Sequence, residues 1–185
     1  MGRRRSTVGR WLVMGLVLLA VGSVTFVYLR WWLREYRYSK MIVEIAPRYG
    51  VEPSLVKAVM RQESGFDPFA RSRTGAVGLM QVMPATGRAI GIPEGQLWNE
   101  RTNIGAGAWL LAHALEYWRK QPVDDPVPFA LAEYNAGRGV VLKWVPTGQT
   151  HKAQEFVATL PNTQVRYYVQ RVLGYYADYR AQGSL

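Results

Sequence analysis

Residues 51–84 read VEPSLVKAVMRQESGFDPFARSRTGAVGLMQVMP, and the pattern of this stretch sets the terms for the rest of the chain. Pro53 suits a first helical position, where its missing N–H is no loss. Leu55, Val56, Val59 and Met60 recur at helical spacing, and Gly65 stops the run. Glu63 follows Val56, Val59 and Met60 by seven, four and three residues, so it shares their face and points toward a core or a cleft wall. Desolvation there favours the neutral carboxyl, and an acid that keeps its proton near neutral pH can protonate a leaving group. The ordinary alternatives for a Glu in a last helical turn are a solvated end or a pairing with Arg61 or Arg71.

Moving outward, residues 65–77 read as a loop, with Asp67-Pro68 and Thr74-Gly75 as turn signals. Gly78 permits close backbone approach, and Gln81 offers donors and acceptors to a polar ligand. A short helix follows from near Pro84 to Gly91. Residues 92–101 read as a loop, after which Thr102 or Asn103 caps a helix to about Lys120 with Ile104, Ala108, Leu111, Leu115 and Trp118 as its apolar stripe. The proline-rich residues 121–128 form a loop before a helix at 129–136, which ends at Gly137 and carries Tyr134 and Asn135 near its end. Residues 146–149 read as a turn. Residues 154–161 lead to a last helix at 164–179, with Val165, Tyr168, Val169, Val172 and Tyr176 on one face. Upstream, Ser39 is a candidate N-cap for a packing helix that closes at Gly50. No stretch reads as a strand, so the expected fold is mostly α, with helices around a cleft.

The formal charge of +10 and pI near 10.1 raise a nucleic-acid reading, and the placement of the charge weakens it. Arg3, Arg4, Arg5, Arg10, Arg30, Arg34, Arg37 and Lys40 stand against Glu35 alone in residues 1–40, a net +7 that leaves +3 for residues 41–185. Between Arg10 and Arg30, the nineteen residues from Trp11 to Leu29 carry no charge and are flanked by Trp11, Tyr28, Trp31 and Trp32. Length and interfacial aromatics fit one transmembrane helix. A cleaved signal would have a shorter apolar region and a small-residue cleavage site. The expected organisation is a basic tail at 1–10, an anchor at 11–33, a connector at 34–40, one domain at 41–180 and a tail at 181–185. The chain has no Cys, and His113 and His151 lack a metal-ligand pattern, so no metal or other cofactor is expected.

Several separated motifs occur in register. They are Tyr49-Gly50-Val51 with Pro53, residues 61–66, Gly78-Leu79-Met80-Gln81 with residues 83–86, Thr102-Asn103-Ile104 with Ala106-Gly107, residues 132–137, and Arg166 with Tyr168-Val169. Together, over about residues 42–176, they resemble the soluble lytic transglycosylase catalytic domain, a goose-lysozyme-like family acting on peptidoglycan. The resemblance implies Glu63 as the catalytic acid, with Ser64, Met80, Gln81, Tyr134, Asn135 and Tyr168 at the substrate. It also implies cleavage between N-acetylmuramic acid and N-acetylglucosamine with a 1,6-anhydro product. Arg138 stands where the family frequently has Pro, and Gln164 where it usually has Glu.

The partners implied are peptidoglycan glycan strands, the lipid bilayer through the N-terminal helix, and envelope machinery, with no nucleic acid. The implied location is the inner membrane with the domain facing the wall, or secretion after signal cleavage. A goose-type hydrolase with Glu133 or Asp67 positioning water, and a non-catalytic wall-binding scaffold, are the alternatives.

Overall fold

A computed structural model describes residues 7–146 and 149–183. Among them the chain is helical throughout, with α1 (Thr7–Ile45), α2 (Pro53–Ser64), α3 (Pro84–Ala89), α4 (Glu100–Arg119), α5 (Pro126–Ala136), α6 (Arg138–Val141), α7 (Ala153–Thr159) and α8 (Thr163–Gln182). Short 3-10 turns lie at Ala46–Tyr49 and Glu94–Trp98, and the only extended pairings among the described residues are isolated bridges such as Val77 with Val82. The mostly α expectation therefore holds.

The chain divides into two compact units, Met1–Arg37 and Tyr38–Leu185. In the first, α1 exposes its apolar side chains on every side, Leu12, Val17, Leu19, Val24 and Phe26 among them. The helix is long and apolar enough to cross a membrane. Residues 34–40, expected as a connector, are helical, and Ser39 is a buried mid-helix residue and not an N-cap. No Gly or Pro interrupts α1 there, so nothing in the local chemistry stops it.

In the second unit, α4 packs on α5, and α8 packs on both α2 and α5. Val56, Val59 and Met60 of α2, Ile104, Leu111 and Trp118 of α4, and Val169 and Val172 of α8 are buried together in this core. A ring series runs through it, Trp118 to Phe129 at 5.1 Å and Phe129 to Phe156 at 4.0 Å between centroids. Such pairs add to what burial alone contributes.

Local chemistry explains where the boundaries differ from expectation. Asn99, not Thr102 or Asn103, caps α4, its Oδ1 accepting the Thr102 N–H at 3.0 Å. Asp125 caps α5 by accepting the Val127 N–H at 2.9 Å, which draws Pro126 and Pro128 into a first turn where their missing N–H groups have no helical partner to lose. Asn162 caps α8, which continues through Gln182 past the expected tail boundary, and residues 153–159 form α7. The turn expected at 146–149 falls partly outside the described residues.

Candidate active site

The site is built on one turn. Gly78 has φ 78°, and a Cβ on it would lie 2.4 Å from Asn103 Nδ2, so only glycine lets the turn close on α4. Asn103 is buried, and its amide is spent on backbone. Oδ1 accepts the Met80 N–H at 2.7 Å, and Nδ2 donates to the carbonyls of Val77 at 3.0 Å and Leu97 at 2.9 Å. From the other side Tyr134 Oη donates to the Met80 carbonyl at 2.8 Å. The Met80 backbone is thus held between α4 and α5.

Its side chain is fully buried against Gly107, where a Cβ would meet Met80 Cβ at 2.5 Å. Met80 was expected at the substrate, and its side chain is instead a core residue. Its contribution to the site is the backbone that Asn103 and Tyr134 hold. Gln81 takes the left-handed φ of 48° and donates through Nε2 to Ala70 at 3.0 Å and Gly78 at 2.8 Å. Those bonds fix the side chain, while its Oε1 has no partner among the described residues.

Glu63 ends α2 as expected, and neither Arg61 nor Arg71 pairs with it. Arg61 instead donates to Tyr179 Oη at 3.2 Å and lies 4.2 Å from the Tyr175 ring. The partner of Glu63 is Tyr168 of α8, whose Oη donates to Oε1 at 2.7 Å. Burial pushes the Glu63 carboxyl up to about 7, and the Tyr168 hydrogen bond works against that rise. Burial and the neighbouring Glu63 charge hold the Tyr168 and Tyr134 phenols well above the usual tyrosine range, so both stay protonated donors.

Ser64 does not reach the acid. Its Oγ donates to the Met60 carbonyl at 3.2 Å and accepts the Phe66 N–H at 3.1 Å, closing the turn in which Phe66 takes φ 66°. Through these two bonds Ser64 positions the end of α2.

A cavity of about 240 Å³ adjoins the turn, lined by Gln81, Tyr134, Glu133, Arg138, Met83 and Leu110 among others. Tyr134 joins it to the acid. Asn135, at the end of α5, is exposed, and its side chain makes no hydrogen bond among the described residues. Glu133 is committed: Trp118 Nε1 donates to Oε2 at 2.9 Å, and Arg138 donates to Oε1 at 2.8 Å and 3.0 Å and to Oε2 at 3.1 Å. The Arg138 guanidinium also lies 4.3 Å from the Tyr117 ring centre.

The structure therefore brings Glu63, Gln81, Tyr134 and Tyr168 together around the Gly78–Gln81 turn, and leaves Asn135 exposed outside the lining of the cavity. Sequence reasoning missed Asn103 as the clamp and Arg138 as the partner of Glu133. An amide inside a buried helical stripe was a signal for the first. For the second, an Arg five residues beyond a Glu, across a helix-ending Gly, was available. No group of three metal-binding side chains occurs among the described residues.

A family model for the transglycosylase SLT domain matches residues 40–157. The soluble lytic murein transglycosylase of Salmonella typhimurium is 34% identical over 159 residues, covering 79% of this chain and 24% of that protein. The membrane-bound lytic murein transglycosylase C of Actinobacillus pleuropneumoniae serotype 5b is 36% identical over 123 residues, 60% of this chain and 33% of that protein. Among solved structures, an inactive mutant of the lytic transglycosylase Slt from Pseudomonas aeruginosa matches with TM-score 0.67 and 35% identity, over 77% of this chain and 24% of that one. The 70-kDa soluble lytic transglycosylase of Escherichia coli matches with TM-score 0.68 and 32% identity, over 80% of this chain and 24% of that one. The chain thus spans about a quarter to a third of the length of these relatives. The lysozyme-like helical fold expected from the sequence is the fold of these neighbours.

Proposed function

The chain belongs to the transglycosylase SLT family, and from that premise we propose that its second unit is a lytic murein transglycosylase module, tethered to the membrane by α1 and facing the wall. Its substrate is the peptidoglycan glycan strand, cut between N-acetylmuramic acid and N-acetylglucosamine. The observation that carries this reading is the pairing of a desolvated Glu63, poised at about 7, with a single neutral donor, Tyr168.

In the first step the Glu63 carboxyl protonates the glycosidic oxygen as the bond to the muramyl anomeric carbon breaks, through an oxocarbenium-like transition state. Tyr168 holds Oε1 and leaves Oε2 to carry the proton. Its hydroxyl then stabilises the carboxylate that forms. In the second step that carboxylate takes the proton of the muramyl 6-hydroxyl while the 6-oxygen bonds to the anomeric carbon. Glu63 ends as it began, no water is consumed, and the product is the 1,6-anhydro sugar. Gln81 Oε1 and Asn135 offer hydrogen bonds to the sugar in this scheme.

The state of Glu133 favours this route over a hydrolase. An inverting hydrolase needs a second carboxylate free to activate water, and both Glu133 oxygens are bonded to Arg138 or Trp118. The solved Pseudomonas aeruginosa relative is described as an inactive glutamate-to-glutamine mutant, and the same change at Glu63 is the natural control here. The test is mass analysis of muropeptides released from purified peptidoglycan by the full chain in detergent, beside Glu63→Gln. Anhydro products, lighter by one water than hydrolytic ones and absent with Glu63→Gln, are expected. Reducing-end products would establish a hydrolase. No release by the unaltered chain, with binding to the wall intact, would leave a scaffold.

A further inference from the structure

A second cavity in the second unit shares no lining residue with the one beside the Gly78–Gln81 turn. It has a volume of about 450 Å³ and is lined by Tyr49, Ile90, Ile92, Arg101, Gly105 and Trp109 among others. Volumes of roughly 300–1,000 Å³ are those of small-molecule sites. Arg101, Gly105 and Trp109 follow each other at four-residue spacing and share one face of α4. Asn103, Gly107 and Leu110, which serve the turn and the cleft, lie on the other side of the same helix. The cavity is therefore separate from the site described above.

Its walls are aromatic and its rim is polar. The Tyr49 hydroxyl rests over Gly105, where a Cβ would sit 3.1 Å from it. Trp109 is braced from behind by His113, with ring centroids 3.5 Å apart and His113 Nδ1 2.9 Å from the Trp109 carbonyl. Among the described residues neither Tyr49 Oη nor Trp109 Nε1 has a hydrogen-bond partner, although each is a polar group beside an apolar floor. Arg101 is held by Glu44, Nη2 to Oε2 at 2.7 Å, and Glu44 also accepts from Arg48 at 2.8 Å. One carboxylate shared by two guanidiniums leaves donors of Arg101 at the rim.

These features select a ligand class. An acyl chain would leave the phenol, the indole N–H and the guanidinium donors unmatched, which is costly once they are desolvated. A neutral amino sugar has a flat C–H face to lie on Trp109 or Tyr49, and hydroxyl and acetamide oxygens around its edge for the donors. We propose that this cavity is a second saccharide-binding site for N-acetylhexosamine units of the wall glycan, which keeps the module on the polymer while the cleft acts. It rests on the reading that the chain acts on peptidoglycan. A second weak contact with the same polymer raises retention by effective concentration without altering the chemistry of the first.

Two variants test it in the full chain. Trp109→Ala removes one wall, and Ala89→Trp fills the cavity from its exposed rim without touching the core. In a Glu63→Gln background, each is expected to weaken binding to purified sacculi by about fivefold or more, with thermal unfolding unchanged. In the cleaving background, the rate on short soluble muropeptides is expected to stay the same. The Trp109 indole NMR signal, assigned with Trp109→Phe, is expected to shift on adding N-acetylglucosamine oligomers, and not to do so in Ala89→Trp. Unchanged sacculus affinity in both folded variants, or an indole signal indifferent to the oligomers, overturns the proposal. Oligomers that shift the signal while the unaltered chain releases no muropeptide would instead overturn the enzymatic reading and leave the saccharide site standing.

Discussion

Two glutamates border the same turn and have opposite surroundings. Glu63, at the end of α2, has lost solvent and gained one phenolic donor, so its carboxyl keeps a proton up to about 7. Glu133, on α5, has lost solvent too, its side chain being 12% exposed, but it gained a guanidinium fork and an indole N–H. Burial without a countercharge makes an acid, and burial with one makes a structural anion. The residue type is the same, and the neighbours decide what it does.

The largest expected effect breaks the comparison at its centre. Glu63→Gln should lower the rate of muropeptide release by about 10³-fold or more, whereas Glu133→Gln should leave the rate within about an order of magnitude, as measured by product quantification on the same substrate. Equal losses would show that the two carboxylates work as a pair.

Removing the clamp comes next. Asn103→Ala strips the Met80 N–H and the Leu97 carbonyl of their buried partner, while the Val77 carbonyl keeps the Val82 N–H, at about 2–3 kcal/mol of stability by denaturant unfolding. Activity should fall further than the unfolded fraction explains, because the turn carrying Gln81 loosens. The Arg138→Ala change sharpens the other half of the comparison. Stranding Glu133 should cost about 1–2 kcal/mol, since Arg138 is itself partly exposed. Because this change frees Glu133 Oε1 of its only partner, reducing-end products should appear beside the anhydro sugars if the Arg138 fork is what keeps Glu133 from activating water, and mass analysis of the released muropeptides reads the ratio.

The pH dependence of stability tests the Glu63 half of the comparison without any substrate. Between the ordinary carboxylate range and about 7 the folded chain holds a Glu63 proton that the unfolded chain has released. Stability from this group is therefore full below that window and falls as pH rises through it. Glu63→Gln removes the effect, so it should stabilise the protein by about 1–3 kcal/mol more at pH 8 than at pH 4.

The smallest change concerns Tyr168→Phe. Its hydrogen bond holds the Glu63 carboxyl down, so losing it should move the alkaline limb of the pH–rate profile upward and lower the maximal rate about tenfold. A limb that moves downward would mean that Tyr168 does not donate to the acid during turnover.

Much of this arrangement was legible along the chain. Pro53, the apolar spacing of α2 and Gly65 bound the helix, and the offset of Glu63 from Val56, Val59 and Met60 put the acid against the core. The face of α8 that carries Tyr168 followed from the same periodicity. Periodicity did not reveal what Tyr168 touches, since 105 residues separate it from Glu63. It also left Met80 divided between core and cleft, and the 0% exposure of its side chain against Gly107 resolves that in favour of the core.

Alone, the sequence determined the helices, their stops, the apolar anchor-like segment and the face on which the acid lies, because those depend on interactions within a few residues. Only the tertiary structure decided which carboxyl stays an acid, which becomes half of an ion pair, and which face of α4 carries a second cavity. Those outcomes depend on solvent removed and partners supplied by segments distant in the chain, and no local pattern encodes either quantity.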